Sequence, residues 1–140
     1  MIVVDASVAV KWFLPETGTR EAQGLLASGE RLAAPSLIQT EVAAAIARKA
    51  RFREIRDQDA SDAADLWFRS LANGVLALSP DEADIGPALK LAVKLRHPLQ
   101  DCLYLALAER IGGRLITGDR VFVEKASPSH PSIQPLTVAP

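Results

Sequence analysis

Four carboxylates in this sequence lie where predicted strands stop or predicted helices start, among apolar residues. Asp5 and Asp119 follow short apolar runs, Glu41 lies in the first turns of an alanine-rich segment, and Asp101 lies near the start of another helical segment. Two carboxylates about 5 Å apart repel by roughly 3 kcal/mol at an effective dielectric near 20. Protons or a cation must therefore intervene if the four acids converge.

The ligand atoms that these acids offer are all oxygens. Oxygen ligands suit Mg²⁺ or Mn²⁺, and such ions position water for attack on a phosphodiester. The remaining metal-ligating residue types do not extend the set, because His97 and His130 have no other His or Cys at ligand spacing. We expect His97, which precedes Pro98, to end a helix, and Cys102 to pack in the core as a small hydrophobe. The acids therefore predict a metal-dependent nuclease.

Each acid also has a purely structural explanation. Asp5 and Asp101 are suited to cap helices, and Glu41 is suited to complement a helix dipole. Asp119, which follows Gly118, is suited to a turn. No single acid is decisive, so the prediction of a site depends on their convergence.

Length and composition favour one folded domain over residues 1–140. The chain has 140 residues, 49% of them hydrophobic, which is enough for one domain with a core of its own. Its single cysteine cannot form an internal disulfide, which fits a reducing, cytoplasmic location. No apolar run approaches the ~20 residues that a membrane span needs, so we expect a soluble protein without a membrane partner. The net charge of −1 leaves local basic patches possible.

Strands alternate with helices along the chain. Pro, Gly and capping residues separate the elements, and such alternation predicts an α/β domain with a mainly parallel central sheet covered by helices on both faces. Ligands of such sheets gather beyond the carboxyl ends of the strands, where Asp5 and Asp119 are predicted to lie. The predicted strands are 2–4, 31–34, 75–78, 114–117 and 133–136, and the predicted helices are 7–14, 17–26, 37–50, 57–71, 79–95, 100–111 and 120–125.

Four segments resemble the PIN domain family. They are IVVDAS at 2–7, EVA at 41–43, PLQDCLYLALA at 98–108 and LITGDR at 115–120. Their order and spacing agree with the family across nearly the full chain. The resemblance is strongest to the small bacterial VapC-type toxins, which are ribonucleases neutralised by a partner antitoxin.

The resemblance implies a three-layer PIN-like fold and assigns the acids. Asp5 and Asp101 would hold the metal most directly, while Glu41 and Asp119 would complete the catalytic pocket partly through water. The metal would be Mg²⁺ or Mn²⁺. The matching polar positions are Ser7 and Thr117, whose hydroxyls would hold a carboxylate or a water in place, although local capping and turn bonding explain them equally well. The implied partners are an RNA substrate, a VapB-type antitoxin and a second copy of the chain in a homodimer.

Basic and aromatic residues supply candidate surfaces for those partners. An acidic pocket repels RNA, so basic surface should guide it. The strongest group has five positive charges in nine residues against one acid, and its alternative reading is an ordinary solvated helix face. Two adjacent aromatic pairs cannot easily direct both members into the core, so one member of a pair is expected at an interface. The basic residues are Arg48, Lys49, Arg51, Arg53 and Arg56, and the pairs are Trp12-Phe13 and Trp67-Phe68.

Three other functions remain open from the sequence. The first is an RNA-processing nuclease of PIN type that is not a toxin. The second is a phosphoryl-transfer protein of receiver or dehalogenase type, although Ser7 stands where a dehalogenase needs Asp and Asp5 lacks the paired acid of a receiver. The third is an inactive PIN-like interaction module, which the presence of all four acids disfavours.

Overall fold

The central element of the fold is a five-stranded parallel sheet with the strand order β3-β2-β1-β4-β5. The structure, a computed structural model, describes residues 1–137. The predicted α/β class with a parallel central sheet flanked by helices is confirmed. The strands are β1 (Ile2–Val4), β2 (Leu32–Pro35), β3 (Ala77–Ser79), β4 (Arg114–Thr117) and β5 (Ile133–Pro135).

Helices connect successive strands, as parallel pairing requires. The described residues contain seven α-helices and two short 3₁₀ turns, Val10–Trp12 and Asp81–Ala83. The α-helices are α1 (Ala6–Ala9), α2 (Thr19–Ala27), α3 (Ile38–Arg51), α4 (Asp57–Ala72), α5 (Ile85–Leu95), α6 (Leu99–Arg110) and α7 (Arg120–Ala126).

Two of the predicted helices are interrupted in the structure. The segment 7–14 is the short α1 followed by a 3₁₀ turn, which brings the Trp12 indole N–H to within 2.8 Å of the Ala22 carbonyl oxygen. The segment 79–95 divides at Asp84, whose buried carboxylate accepts two hydrogen bonds from the Arg110 guanidinium, at 2.7 and 3.1 Å. In both places a tertiary hydrogen bond to a buried group accompanies the break in the helix.

Helix α6 is the buried centre of the molecule. Every residue from Cys102 to Ala108 is buried, and the helix packs against β1, β2, β4 and α5. A helix that is apolar on all sides belongs in a core. Burial also raises the pKa of the Cys102 thiol to about 11, as suits a core side chain. The first turn of α6 precedes this buried run, and Asp101 lies in that turn.

The aromatic pairs divide between core and surface. Trp67 is fully buried and Phe68 is 59% exposed, as the adjacent-position argument predicts for one pair. Trp12 and Phe13 are instead both packed, and Phe13 makes an edge contact with Trp67 at 5.7 Å between ring centroids.

Within residues 1–137, no helix combines the length and the apolar character that a membrane span requires.

Candidate metal centre

The candidate site lies where the chain changes direction in the sheet. Strand β1 is paired with β2 on one side and with β4 on the other, so the connections leaving β1 and β4 run to opposite edges of the sheet. Such a switch point leaves a crevice beyond the carboxyl ends of the two strands. Asp5 follows β1 directly, and Asp119 follows β4 after Gly118.

Asp5 is held by a set of hydrogen bonds from its neighbours. Its Oδ1 accepts from the Ser7 hydroxyl at 2.5 Å and from the Val8 backbone N–H at 3.2 Å. Its Oδ2 accepts from the Thr117 hydroxyl. Asp5 is therefore also the N-cap of α1, so the capping role and a place in the carboxylate cluster are compatible.

The two hydroxyls also join β1 to β4. The Gly118 backbone N–H donates to Ser7 Oγ, and the Asp119 N–H donates to Thr117 Oγ1, both at 3.0 Å. Each hydroxyl accepts one hydrogen bond from this turn and donates one to Asp5. The turn that carries Asp119 is thus fixed relative to Asp5 by hydrogen bonds across the sheet.

Glu41 reaches the same region from the first turn of α3. Its Oε1 accepts a hydrogen bond of 2.6 Å from the hydroxyl of Tyr104, which is 1% exposed. Loss of hydration raises the pKa of Glu41, the Tyr104 hydrogen bond lowers it, and the negative charges of Asp101 and Asp81 raise it further. Tyr104 is absent from the predicted site residues, although it lies three positions after Asp101 and so on the same face of α6.

Asp101 and Asp119 are brought together by a histidine that the sequence pattern does not assign to the site. His97 Nε2 lies 2.8 Å from Asp101 Oδ2 and 3.7 Å from Asp119 Oδ2. These three residues can offer ligand atoms that all lie within 4.8 Å of one another. The expectation that His97 ends a helix is therefore incomplete, because its ring also contacts Asp101. His97 does follow the end of α5. Arg96 adopts a left-handed conformation at that end, with φ 55°, and the ring of the next residue, His97, is directed at the acids.

The electrostatics of the cluster favour a bound cation. Desolvation, with a smaller contribution from the charge of Asp101, raises the pKa of Asp5 to about 6 despite the opposing hydrogen bonds from Ser7, Thr117 and Val8. Desolvation also raises the pKa of Asp101. The hydrogen bond with His97 and the charge of His97 lower that pKa, and the negative charge of Asp119 raises it. Carboxylates that resist ionisation beside one another are stabilised when a cation replaces the protons. The oxygen donors therefore fit a hard divalent ion.

Basic residues lie at two distances from the acids. Lys11 and Arg120 line a cleft of about 220 Å³ that also contacts Thr117 and Gly118. The cluster formed by Arg48, Lys49, Arg51 and Arg53 lies at the other end of α3 from Glu41, roughly 10–15 Å away at 1.5 Å per residue.

The charges of that cluster are partly neutralised. Lys49 pairs with Glu16 at 2.9 Å. Arg48 and Arg51 both lie over the ring of Phe52, at 5.6 and 5.0 Å from its centroid. The two arginines are exposed, whereas Lys49 is engaged within the protein.

Comparisons with known proteins give a family match and similar folds. The PIN domain family model matches residues 2–128. Over 125 residues the chain is 34% identical to Ribonuclease VapC3 of Pyrobaculum aerophilum, covering 89% of this chain and 93% of that protein. A structure described as a toxin-antitoxin complex from Klebsiella pneumoniae superimposes with a TM-score of 0.68 at 17% identity, covering 99% of this chain and 100% of the other. A crystal structure of a P. aerophilum protein has a TM-score of 0.67 at 19% identity, with coverages of 96% and 90%.

Proposed function

Because this chain belongs to the PIN domain family, we propose that it is a divalent-metal-dependent endoribonuclease that hydrolyses RNA phosphodiester bonds as the toxin of a toxin-antitoxin pair. The observation that carries the proposal is the convergence of Asp5, Asp101 and Asp119 with Glu41 at the switch point of the sheet, where loss of hydration and, to a smaller extent, neighbouring negative charges raise the pKa of Asp5, Glu41 and Asp101. The 34% identity to a protein named as a ribonuclease supports the reaction class.

The proposed ligands of the ion are Asp5 and Asp101, with Glu41 and Asp119 completing the pocket. A bound Mg²⁺ or Mn²⁺ would supply Lewis-acid activation of water and would offset charge on the phosphate oxygens. The chain's own carboxylates orient the attacking water and accept its proton. Each carboxylate is held by at least one donor, so little rearrangement is needed when substrate arrives.

The direct test is to sequence RNA ends after brief expression of the native chain and of Asp5→Asn. New ends that require Asp5 would support a ribonuclease and would also identify its substrate. If both proteins leave the same RNA ends, the proposed activity fails. A native chain that cuts RNA yet is harmless when overproduced would instead favour an RNA-processing nuclease.

Tyr104 should matter for metal binding because it holds Glu41. We expect Tyr104→Phe to weaken Mn²⁺ binding by about 10- to 100-fold, the usual cost of removing an outer partner of a ligand. The hydroxyl is the only group removed, so packing of the ring in α6 should persist. Titration of purified protein with Mn²⁺, together with thermal unfolding, checks both statements. An unchanged affinity in a folded Tyr104→Phe protein would exclude Glu41 from the metal pocket.

The arginine cluster should contribute to RNA binding through its attraction to phosphates. Replacing Arg48, Arg51 and Arg53 together by Gln should weaken binding and reduce the salt slope by about 0.7 for every phosphate that the protein no longer neutralises. The matched control replaces three exposed arginines elsewhere, Arg20, Arg31 and Arg69, and makes the same change in net charge. Binding measured across salt concentrations separates the two triple variants. Equal slopes would assign the cluster to general solvation.

An apolar groove between α3 and α4 supports the antitoxin partner. It has a volume of about 300 Å³, and Ala43, Ile46, Ala64 and the exposed Phe68 line it. A helix with an apolar face fits such a groove. The candidate anchor Trp12 is excluded, because its indole is buried and donates within the protein.

A homodimer is part of the same proposal, and the exposed apolar Ile85, Leu89 and Val93 on one face of α5 support it.

Phe68 should be an anchor for the antitoxin. Phe68→Ser should weaken the complex by roughly 30-fold or more, since truncated aromatic anchors cost about 2 kcal/mol or more. RNA cleavage by the free protein should not change, because Phe68 lies outside the acidic site. Leu26→Ser, an exposed apolar truncation on α2, is the control. Affinities of both variants for the co-purified partner provide the measurement, and equal affinities would place the partner elsewhere.

A further inference from the structure

His97 offers two mutually exclusive roles beside the acids. Its Nε2 lies close enough to Asp101 and Asp119 to join them as a metal ligand. The same atom, if it carries a proton, instead donates a hydrogen bond to Asp101 Oδ2 at 2.8 Å. The two roles require different states of the ring, because a coordinating nitrogen must be free of hydrogen.

The other ring nitrogen decides between them. Nδ1 of His97 lies 3.3 Å from Nζ of Lys125, and the same ammonium group donates to the backbone carbonyl of Arg96 at 3.0 Å. A lysine ammonium has three donors and no acceptor, so Nδ1 must accept. A neutral imidazole that accepts at Nδ1 carries its proton on Nε2. A histidine that binds metal normally donates its second N–H to a carboxylate or carbonyl, and an ammonium cannot take that place.

The ring also has little freedom to turn. His97 is 9% exposed, and its plane stacks on Phe122 at 4.2 Å between centroids with an angle of 5°. Phe122 belongs to the same helix as Lys125 and donates its backbone N–H to Asp119 Oδ1 at 3.1 Å. Helix α7 therefore sets both the tautomer of His97 and the position of Asp119.

From this arrangement we infer that Lys125 fixes His97 in the Nε2–H tautomer, so that His97 is a positioning residue for Asp101 and not a metal ligand. This inference rests on the proposed function for its consequence, which is that Asp101 is held through Oδ2 and keeps Oδ1 free of that hydrogen bond. An ion bound by the acids would then have oxygen ligands alone, as suits Mg²⁺. Helix α7, which follows Asp119 in sequence, thereby supports Asp101 on a different helix.

The tautomer can be measured without metal or RNA. Long-range ¹H–¹⁵N spectra of tag-free protein in EDTA, above the ordinary histidine pKa of about 6.5, should contain ring signals from two histidines only. We expect the Nε2–H form for His97. We expect the opposite form for His130, whose Nδ1 faces Glu109 Oε2 at 2.8 Å. His130→Gln assigns the signals, and Lys125→Met should increase the share of the Nδ1–H tautomer of His97, because only the Asp101 carboxylate then favours the Nε2–H form. A native His97 in the Nδ1–H form would overturn the inference.

The metal role is tested with Mn²⁺ as the probe. Pulsed electron paramagnetic resonance of the Mn²⁺ protein should show no directly coordinated nitrogen. His97→Leu should weaken Mn²⁺ binding by about 10- to 100-fold, and His97→Gln, which retains a donor near the position of Nε2, should restore most of it. A coordinated nitrogen, or equal loss in both folded variants, would overturn the positioning role, as would unchanged affinity in His97→Leu. A native protein that binds no Mn²⁺ would overturn the proposed metal site itself, whereas the tautomer in EDTA reports on His97 alone.

Discussion

Asp5→Asn should reduce RNA cleavage by about a thousandfold or more while leaving the fold intact. A metal ion contributes several kcal/mol to the transition state of phosphodiester hydrolysis, and each 1.4 kcal/mol is a factor of ten in rate. The substitution keeps the size of the side chain and one acceptor for the hydroxyls of Ser7 and Thr117, which hold Asp5 in the native protein. It removes the negative charge that the ion requires. The measurement is the rate of cleavage of RNA by purified protein at saturating Mg²⁺.

The control for this experiment is another neutralised aspartate. Asp65 is exposed on α4, so Asp65→Asn makes the same chemical change away from the acidic site. Cleavage by the control should equal that of the native protein, and EDTA should abolish both. Retention of native cleavage by a folded Asp5→Asn protein would remove Asp5 from the ligand set. Cleavage that persists in EDTA would remove the metal from the reaction.

The fold is largely predictable because its signals are local. Short apolar runs bounded by turn residues mark the strands, and β4 has the predicted bounds of 114–117. Asp5 and Asp119 are recognisable from sequence because a strand ends just before each of them. Parallel pairing then brings those strand ends to one edge. The placement of the acids thus follows from topology, which periodicity of apolar residues largely determines.

The side chains that hold the acids are not predictable in the same way. Tyr104 and His97 are close to Asp101 in sequence, but their contacts with Glu41 and Asp119 depend on where α3 and α7 pack. The absence of another histidine or cysteine near His97 argues only against a site built from nitrogen and sulfur ligands. It says nothing about donors to carboxylates. The useful signal is the short spacing of four between His97 and Asp101, because His97 directly precedes the N-cap of α6 and its ring reaches Asp101 in the first turn of that helix.

The basic residues show a second limit of sequence reasoning. A count of positive charges treats Lys49 like Arg48, although Glu16, 33 positions earlier in the sequence, neutralises Lys49 through an ion pair of 2.9 Å. Long-range pairing of this kind has no sequence periodicity. Burial of Trp12 is a similar case, because its hydrogen-bond acceptor belongs to a helix that packs only in the folded chain.

Without metal, the native protein should lose stability relative to Asp5→Asn as pH rises. Burial raises the pKa of Asp5 from its ordinary 3.8 to about 6, so the folded protein binds this proton more tightly than the unfolded chain does. The stabilisation is therefore complete below about 3.8 and is lost as pH rises through about 6. A rise of this size corresponds to roughly 3 kcal/mol. The difference in unfolding free energy between the two proteins should change by that amount between about pH 4 and pH 8.

The difference between the two proteins reports on Asp5 and its coupling to Asp101, and it cancels the titrating groups that are not coupled to Asp5. Glu41 and Asp101 also have raised pKa values and shift stability in the same direction in both proteins, whereas Glu16 has a lowered pKa and acts in the opposite direction. Denaturant unfolding in EDTA at several pH values provides the measurement, and a constant difference would contradict a partly buried Asp5 with a raised pKa. Adding Mg²⁺ near pH 8 should then stabilise the native protein and not Asp5→Asn, because an ion that binds only the folded state shifts unfolding by mass action. The acids would thus destabilise the metal-free protein through their loss of hydration and their mutual repulsion, both of which a bound ion would offset.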